Sequence, residues 1–293
     1  MHKIPEALAT NCEELNKAWT LYSKEIIDRT AVLIPDTEDD LNWHAFLGHS
    51  LDMQGFRAAE FAGVDAISKP AKDFKSLKIR RIGVAELGKL WEIDAVRNHL
   101  LHKARGTPIT TTYEVLRSAG GETGNSLVEA FEQFPMRKGH WCVRALLQNS
   151  AVLKEYGYSF RTWLAEQSRI LGALEFPPSD FRLLVQGGSI SLENALCAKL
   201  EKTFYMVGPE ISPYMLCDWQ MWLWKNGKTA VFDNFKLDSF HADFAKKVNS
   251  HDGTILPTDK QGFTQWWHGY YPTLPPRLAN ECIWLYVEHG LLK

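Results

Sequence analysis

Residues 191–225 read SLENALCAKLEKTFYMVGPEISPYMLCDWQMWLWK, and their spacing predicts two helices joined by a short turn. Leu192, Ala195, Leu196, Leu200 and Phe204 recur at helical intervals behind Ser191, a residue type suited to capping. Tyr205-Met206-Val207-Gly208-Pro209 then breaks the period. Gly208 permits a positive φ or a close backbone approach, and Pro209 and Pro213 suit the first turn of a following helix, where a missing N–H costs little. The second helix, Ile211 to Lys225, is apolar almost all round, which predicts burial. Two helices joined in this way turn the free N–H groups of the second outward, and such groups hold a phosphodiester without needing a basic side chain. The same letters also describe a plain αα-hairpin with Gly after its first helix.

Helical spacing continues on both sides. Leu15, Trp19, Leu21 and Ile26, then Trp43, Phe46, Leu47 and Leu51, then Val84, Leu87, Leu90, Trp91 and Val96 follow it, while sustained period-2 alternation is scarce. The expected fold is mainly α, with two packed helical lobes, a cleft between them and at most a short β-hairpin near Lys228–Phe235. Gly106-Thr107-Pro108 suggests a soft boundary, with an N-terminal helical region at 1–106 and the hairpin-containing region at 107–293, the two forming one compact unit. The N-terminus lacks the apolar run of a signal peptide, and Ile211–Trp224 is too short to span a bilayer, so a cytoplasmic protein without membrane contact is expected.

The chain has 293 residues with 33 Lys+Arg against 35 Asp+Glu, a formal net charge of −2. That excludes binding nucleic acid by a uniformly basic coat and leaves only local patches. One exists: Lys69–Arg105 carries ten basic and four acidic residues, net +6, so the remainder sums to −8. Five widely spaced cysteines without a C-x-x-C pair argue against a disulfide framework, a zinc ribbon or an iron–sulfur cluster. His44, His49 and Asp52 lack the spacing of metal ligands, and Gly120-Gly121-Glu122-Thr123-Gly124 reads as a flexible loop without the features of a phosphate-binding loop. No metal and no cofactor are expected. The 11 Trp are more than a core requires and hint at a stacking pocket.

Four carboxylates compete for chemistry. Asp218 sits on the apolar second helix beside Trp219, Trp222 and Trp224, where a solvated acid is not expected. Asp238, in Lys236-Leu237-Asp238-Ser239-Phe240-His241, opens a further helix, either as its N-cap or as a carboxylate that stabilises a sugar cation and orients water. Asp233 and Asp243 are the alternatives. Trp266, Trp267, Tyr270 and Tyr271 in QWWHGYYP are candidates for closing a pocket.

The order of these elements resembles the helix-hairpin-helix DNA glycosylase superfamily. Tyr205-Met206-Val207-Gly208-Pro209-Glu210-Ile211-Ser212 looks like its hydrophobic-Gly-hydrophobic-Gly hairpin with Met206 in place of the first Gly, and Leu237-Asp238-Ser239-Phe240 looks like the segment that holds its Asp. The match covers about residues 180–250. The interval from Gly208 to Asp238 is longer than usual, which leaves Asp233 open as the equivalent. Bifunctional members carry a Lys two residues after the last Gly; here that residue is Glu210, so the resemblance implies no lyase activity. Leu216-Cys217-Asp218-Trp219 and His241-Ala242-Asp243-Phe244 are similar, more weakly, to queuosine-salvage N-glycosidases, which raises Asp218 and Asp243 as base or sugar ligands. The resemblance implies a monomeric, monofunctional N-glycosylase acting on a modified base in double-stranded DNA. Asp238 and Asp218 would be catalytic, with Trp219, Trp222, Asp233, Asp243, Trp266 and Trp267 around the base and Val207, Gly208 and Glu210, with Arg80 and Arg81, on the backbone. A glycosidase of a free nucleoside or nucleotide and a non-enzymatic DNA binder are the alternatives.

Overall fold

The computed structural model describes residues 12–33, 42, 46, 47, 82–103, 107–132, 139–170, 189–217, 239–251, 256–270 and 275–292. The chain is mainly helical, as its apolar spacing predicts, and no strand occurs among the described residues. In chain order the helices are α1 (Glu13–Leu33), α2 (Val84–Glu92), α3 (Asp94–His102), α4 (Ile109–Ala119), α5 (Gly121–Glu132), α6 (Gly139–Val152), α7 (Phe160–Ile170), α8 (Ser189–Thr203), α9 (Ser239–His251), α10 (Lys260–Tyr270) and α11 (Pro276–Glu288). None of them is long and apolar enough to cross a membrane. The β-hairpin read at Lys228–Phe235 and the basic residues from Lys69 to Arg81 lie outside the described residues.

The chain divides into two compact units, each discontinuous in sequence. One comprises Met1–Ile34, Leu171–Leu196 and Leu216–Lys293, the other Pro35–Ile170 and Cys197–Met215. Position 106 falls inside the second unit. In that unit α3 and α4 pack on each other.

In the first unit α1 packs on α11. Leu15, Ala18, Trp19, Tyr22 and Ile26 form the buried stripe of α1, at the spacing of one helix face, whereas Leu21, read with them in the sequence, falls off that face and is exposed. Trp19 meets Trp267 of α10 with ring centroids 5.4 Å apart. Tyr286 donates to Glu14 Oε2 at 2.6 Å, and burial together with that bond pushes its phenol up to about 12.

In the second unit α6 is the central helix, burying Cys142, Val143, Ala145, Leu146 and Leu147, and α2 lies against it through Val84, Leu87 and Leu90. The stretch Gly120–Gly124 is a helix-to-helix corner and not a flexible loop. Gly121 has φ +58, and a Cβ on Gly124 would stand 2.1 Å from the Leu116 carbonyl oxygen, so only glycine lets α5 approach α4 this closely. Phe46, Phe160, Trp163 and Phe204 form a second buried focus, with Phe46 stacked on Phe160 at 4.8 Å and Phe204 edge-on to Phe46 at 4.7 Å. Asn42 supports it, accepting from the Phe160 N–H at 2.7 Å and donating to the Tyr158 carbonyl at 3.3 Å.

Candidate functional site

The candidate site starts from α8. The helix begins at Ser189, so Ser191 lies inside its first turn and not at its cap. Leu196, Leu200 and Phe204 are buried, the face expected from their spacing. After Thr203 the chain turns and is helical again over 212–217. Ile211 and Ser212 both donate to the Gly208 carbonyl, at 2.9 and 3.0 Å, so Gly208 opens the turn at 209–211 that leads into the helix, and Pro209 within that turn has no N–H to lose.

The left-handed residue of this turn is Met206, with φ +64, and not Gly208. Nothing lies within 4 Å of a Cβ placed on Gly208, so neither positive φ nor crowding requires glycine there. The Met206 backbone thus adopts the conformation that glycine adopts freely.

Three contacts hold the turn. Asn149 of α6 accepts from the Tyr205 N–H at 2.8 Å and donates to the Tyr205 carbonyl at 3.0 Å, so one buried amide pairs with both backbone groups. The Arg144 guanidinium lies 4.0 Å over the Tyr205 ring. Ser212, fully buried, donates to Glu201 Oε1 at 2.8 Å and ties the 212–217 turn back to α8. Val207 is buried beneath the turn, whereas Met206 and Glu210 are exposed. Among the described residues no protein acceptor takes the N–H of Met206 or Gly208. The turn therefore leaves two backbone donors unaccepted among the described residues.

Of the other residues singled out in the sequence, Asp218, Trp219, Trp222, Asp233, Asp238, Arg80 and Arg81 lie outside the described residues. Asp243 is exposed on α9. Trp267 is a core residue, fully buried against Trp19 and Phe263, because it falls on the inner face of α10. Trp266, on the adjoining face, is half-buried and packs against Phe263 at 5.8 Å and Tyr270 at 5.4 Å.

Sequence reasoning gave no role to His241. It is fully buried on α9, with Nδ1 3.0 Å from Asn280 Oδ1, Nε2 3.3 Å from the Pro257 carbonyl and its ring edge-on to Phe263 at 4.4 Å. The signal was present: His241, Phe244, Ala245 and Val248 share one helical stripe. Glu193 was likewise missed, since a carboxylate on the buried side of α8 breaks the apolar pattern. It pairs with Lys260 of α10, and burial pushes that ammonium down to about 7. Glu193 Oε2 and Thr264 Oγ1 are buried without a hydrogen-bond partner.

No metal-binding group of His, Cys, Asp and Glu occurs among the described residues. Compared with protein-family models, curated proteins and solved structures, the chain has no match.

Proposed function

We propose that the protein is a monofunctional DNA N-glycosylase that grips a DNA strand through the turn at 204–212, takes a modified base out of the stack into a cleft and hydrolyses its N-glycosidic bond. The observation that carries this reading is the pair of unaccepted N–H groups at Met206 and Gly208, on a turn held by Asn149 and by the Ser212–Glu201 bond. A turn that spends a left-handed Met and a buried Asn on its own geometry, and then leaves two N–H groups unaccepted among the described residues, fits the docking of a phosphodiester.

In the reaction, the bond from C1′ to the base nitrogen breaks with its electron pair leaving on the base. Asp238 opposes the charge that develops on the sugar and orients water, whose oxygen bonds to C1′ while its proton passes through the carboxylate to the departing base. Asp218 is assigned to the base or to the surroundings of Asp238. Glu210, exposed at the position of a lyase Lys, cannot form a Schiff base, so the product is an intact strand with an abasic site.

The test is incubation of the purified protein with duplexes carrying alkylated, oxidised or glucosylated bases, followed by alkali. Strand breaks that require alkali are expected, and Asp238→Asn should lower the rate by about a hundredfold or more. Base release from mononucleotide but not from duplex would replace this reading with that of a free-nucleotide glycosidase. Binding that survives Asp238→Asn, with no base release from any substrate, would leave a DNA binder.

A further inference from the structure

Several cations of the second unit are engaged. Lys89, Arg97, Arg117 and Lys154 pair with Glu86, Asp94, Glu132 and Glu92, and the Lys103 ammonium donates to Thr111, Thr112 and the Pro108 carbonyl. Arg144, half-buried on α6, meets no carboxylate among the described residues. α6 itself carries no acid. Of the acids flanking the turn at 204–212, Glu201 accepts from Ser212 and Glu210 is exposed, and neither pairs with Arg144.

The partners of Arg144 are neutral. Its Nε donates to Gln148 Oε1 at 2.9 Å, one turn further along α6, and the guanidinium carbon lies 4.0 Å over the centre of the Tyr205 ring. These two contacts fix the fork and use only its Nε donor, so the Nη1 and Nη2 N–H groups have no acceptor among the described residues. The ring beneath is itself held, because Asn149 of the same helix pairs with both backbone groups of Tyr205. Tyr205 also joins the fork to the turn, since the peptide that follows it carries the unaccepted N–H of Met206. An arginine that served packing alone would turn its Nη groups onto carbonyls or an acid, and one that served solubility alone would stand unanchored in water. Arg144 does neither: it is oriented by neutral groups with its terminal donors open, which is the form of a phosphate clamp.

We infer that Arg144 binds a phosphodiester of the DNA strand held by the turn at 204–212, donating from Nη1 and Nη2 to its oxygens while Tyr205 supports the face of the guanidinium. This rests on the reading of the turn as a DNA grip and not on base release. The contact reads no sequence, because every nucleotide offers the same phosphate. It gives the turn a full positive charge, which backbone N–H groups lack and which a chain of net charge −2 does not supply in bulk.

The full-length protein is titrated into a fluorescently labelled, unmodified DNA duplex, with binding read by anisotropy over a series of salt concentrations. Arg144→Gln should bind about tenfold more weakly at about 50 mM salt and lower the slope of log K against log salt by about 1, as the loss of one phosphate contact requires. Arg144→Lys keeps the charge without the fork, so its slope should stay native while affinity falls about threefold. Hydrogen exchange at the Tyr205 amide should stay native in both variants, because Asn149 still accepts from it. Native slope and affinity in Arg144→Gln overturn the inference, as does native affinity in Arg144→Lys should the Gln variant fail to fold. Faster exchange at Tyr205 with an unchanged slope also overturns it, by assigning Arg144 to holding the turn. Displacement of the duplex by about 10 mM inorganic phosphate at constant ionic strength would give the site to free phosphate and overturn its assignment to a strand. A slope that depends on Arg144, without base release from any modified duplex, upholds the contact and strikes the glycosylase reading alone. A protein that binds no duplex overturns the inference together with the grip on which it rests.

Discussion

Met206 combines a left-handed backbone, φ +64, with a side chain that is 38% exposed. That conformation costs a residue with a Cβ roughly 1–2 kcal/mol, and little packing offsets it here. Met206→Gly should therefore raise the unfolding free energy by about 1 kcal/mol in a urea titration, after allowance for the freer unfolded chain. A fall in stability would show that the Met side chain matters more than its φ. The Lys260–Glu193 pair makes a second prediction. Lys260→Met leaves the buried carboxyl of Glu193 without the ammonium that compensates it, at a cost of about 3 kcal/mol, whereas Lys260→Met combined with Glu193→Leu should recover most of that loss. A double-mutant cycle by thermal unfolding checks this, and additive losses would mean that the two side chains are energetically independent.

At the level of elements, the turn after α8 depends on α6. Asn149→Ala removes the partners of both Tyr205 backbone groups, so a loss of about 2 kcal/mol is expected, together with faster hydrogen exchange at the amides of Tyr205 and its neighbours. Unchanged exchange there would mean that Arg144 and Ser212 hold the turn without Asn149. The corner between α4 and α5 is the counterpart in which glycine is indispensable. A Cβ 2.1 Å from a backbone oxygen cannot be relieved by a rotamer change, so Gly124→Ala should force the helices apart and cost about 2–3 kcal/mol by denaturant unfolding.

For the whole molecule, the neutral charge balance conceals a pH response. The folded chain holds His99 and His140 below the ordinary imidazole value of 6.5, so the unfolded chain binds protons first as pH falls. Stability is unaffected by these groups well above pH 6.5 and is lost as pH drops through 6.5 toward their depressed values. Thermal melts across pH 7.5 to about 5 should show that decline, and it should flatten in a His99→Gln/His140→Gln double variant. Bulk charge takes no part in this, since the chain carries only −2 overall.

What the sequence determined by itself is periodic: the helical class, the apolar faces of α1 and α8, and the break in pattern at 204–209. Spacing reports which residues share a face, and that is enough for these features. What a face meets was decided only in three dimensions. Trp267 is core because the inner face of α10 turns it onto Trp19, while its neighbour Trp266 stays half-buried. The positive φ falls on Met206, next to a Tyr205 whose backbone Asn149 holds from 56 residues away, a relation that no local propensity encodes. The +6 of Lys69–Arg105 was legible as a sum, yet only the fold showed that Lys89 and Arg97 are neutralised by neighbouring acids while Lys103 sits among bases. Composition counts charges, and electrostatics depends on the distances between them.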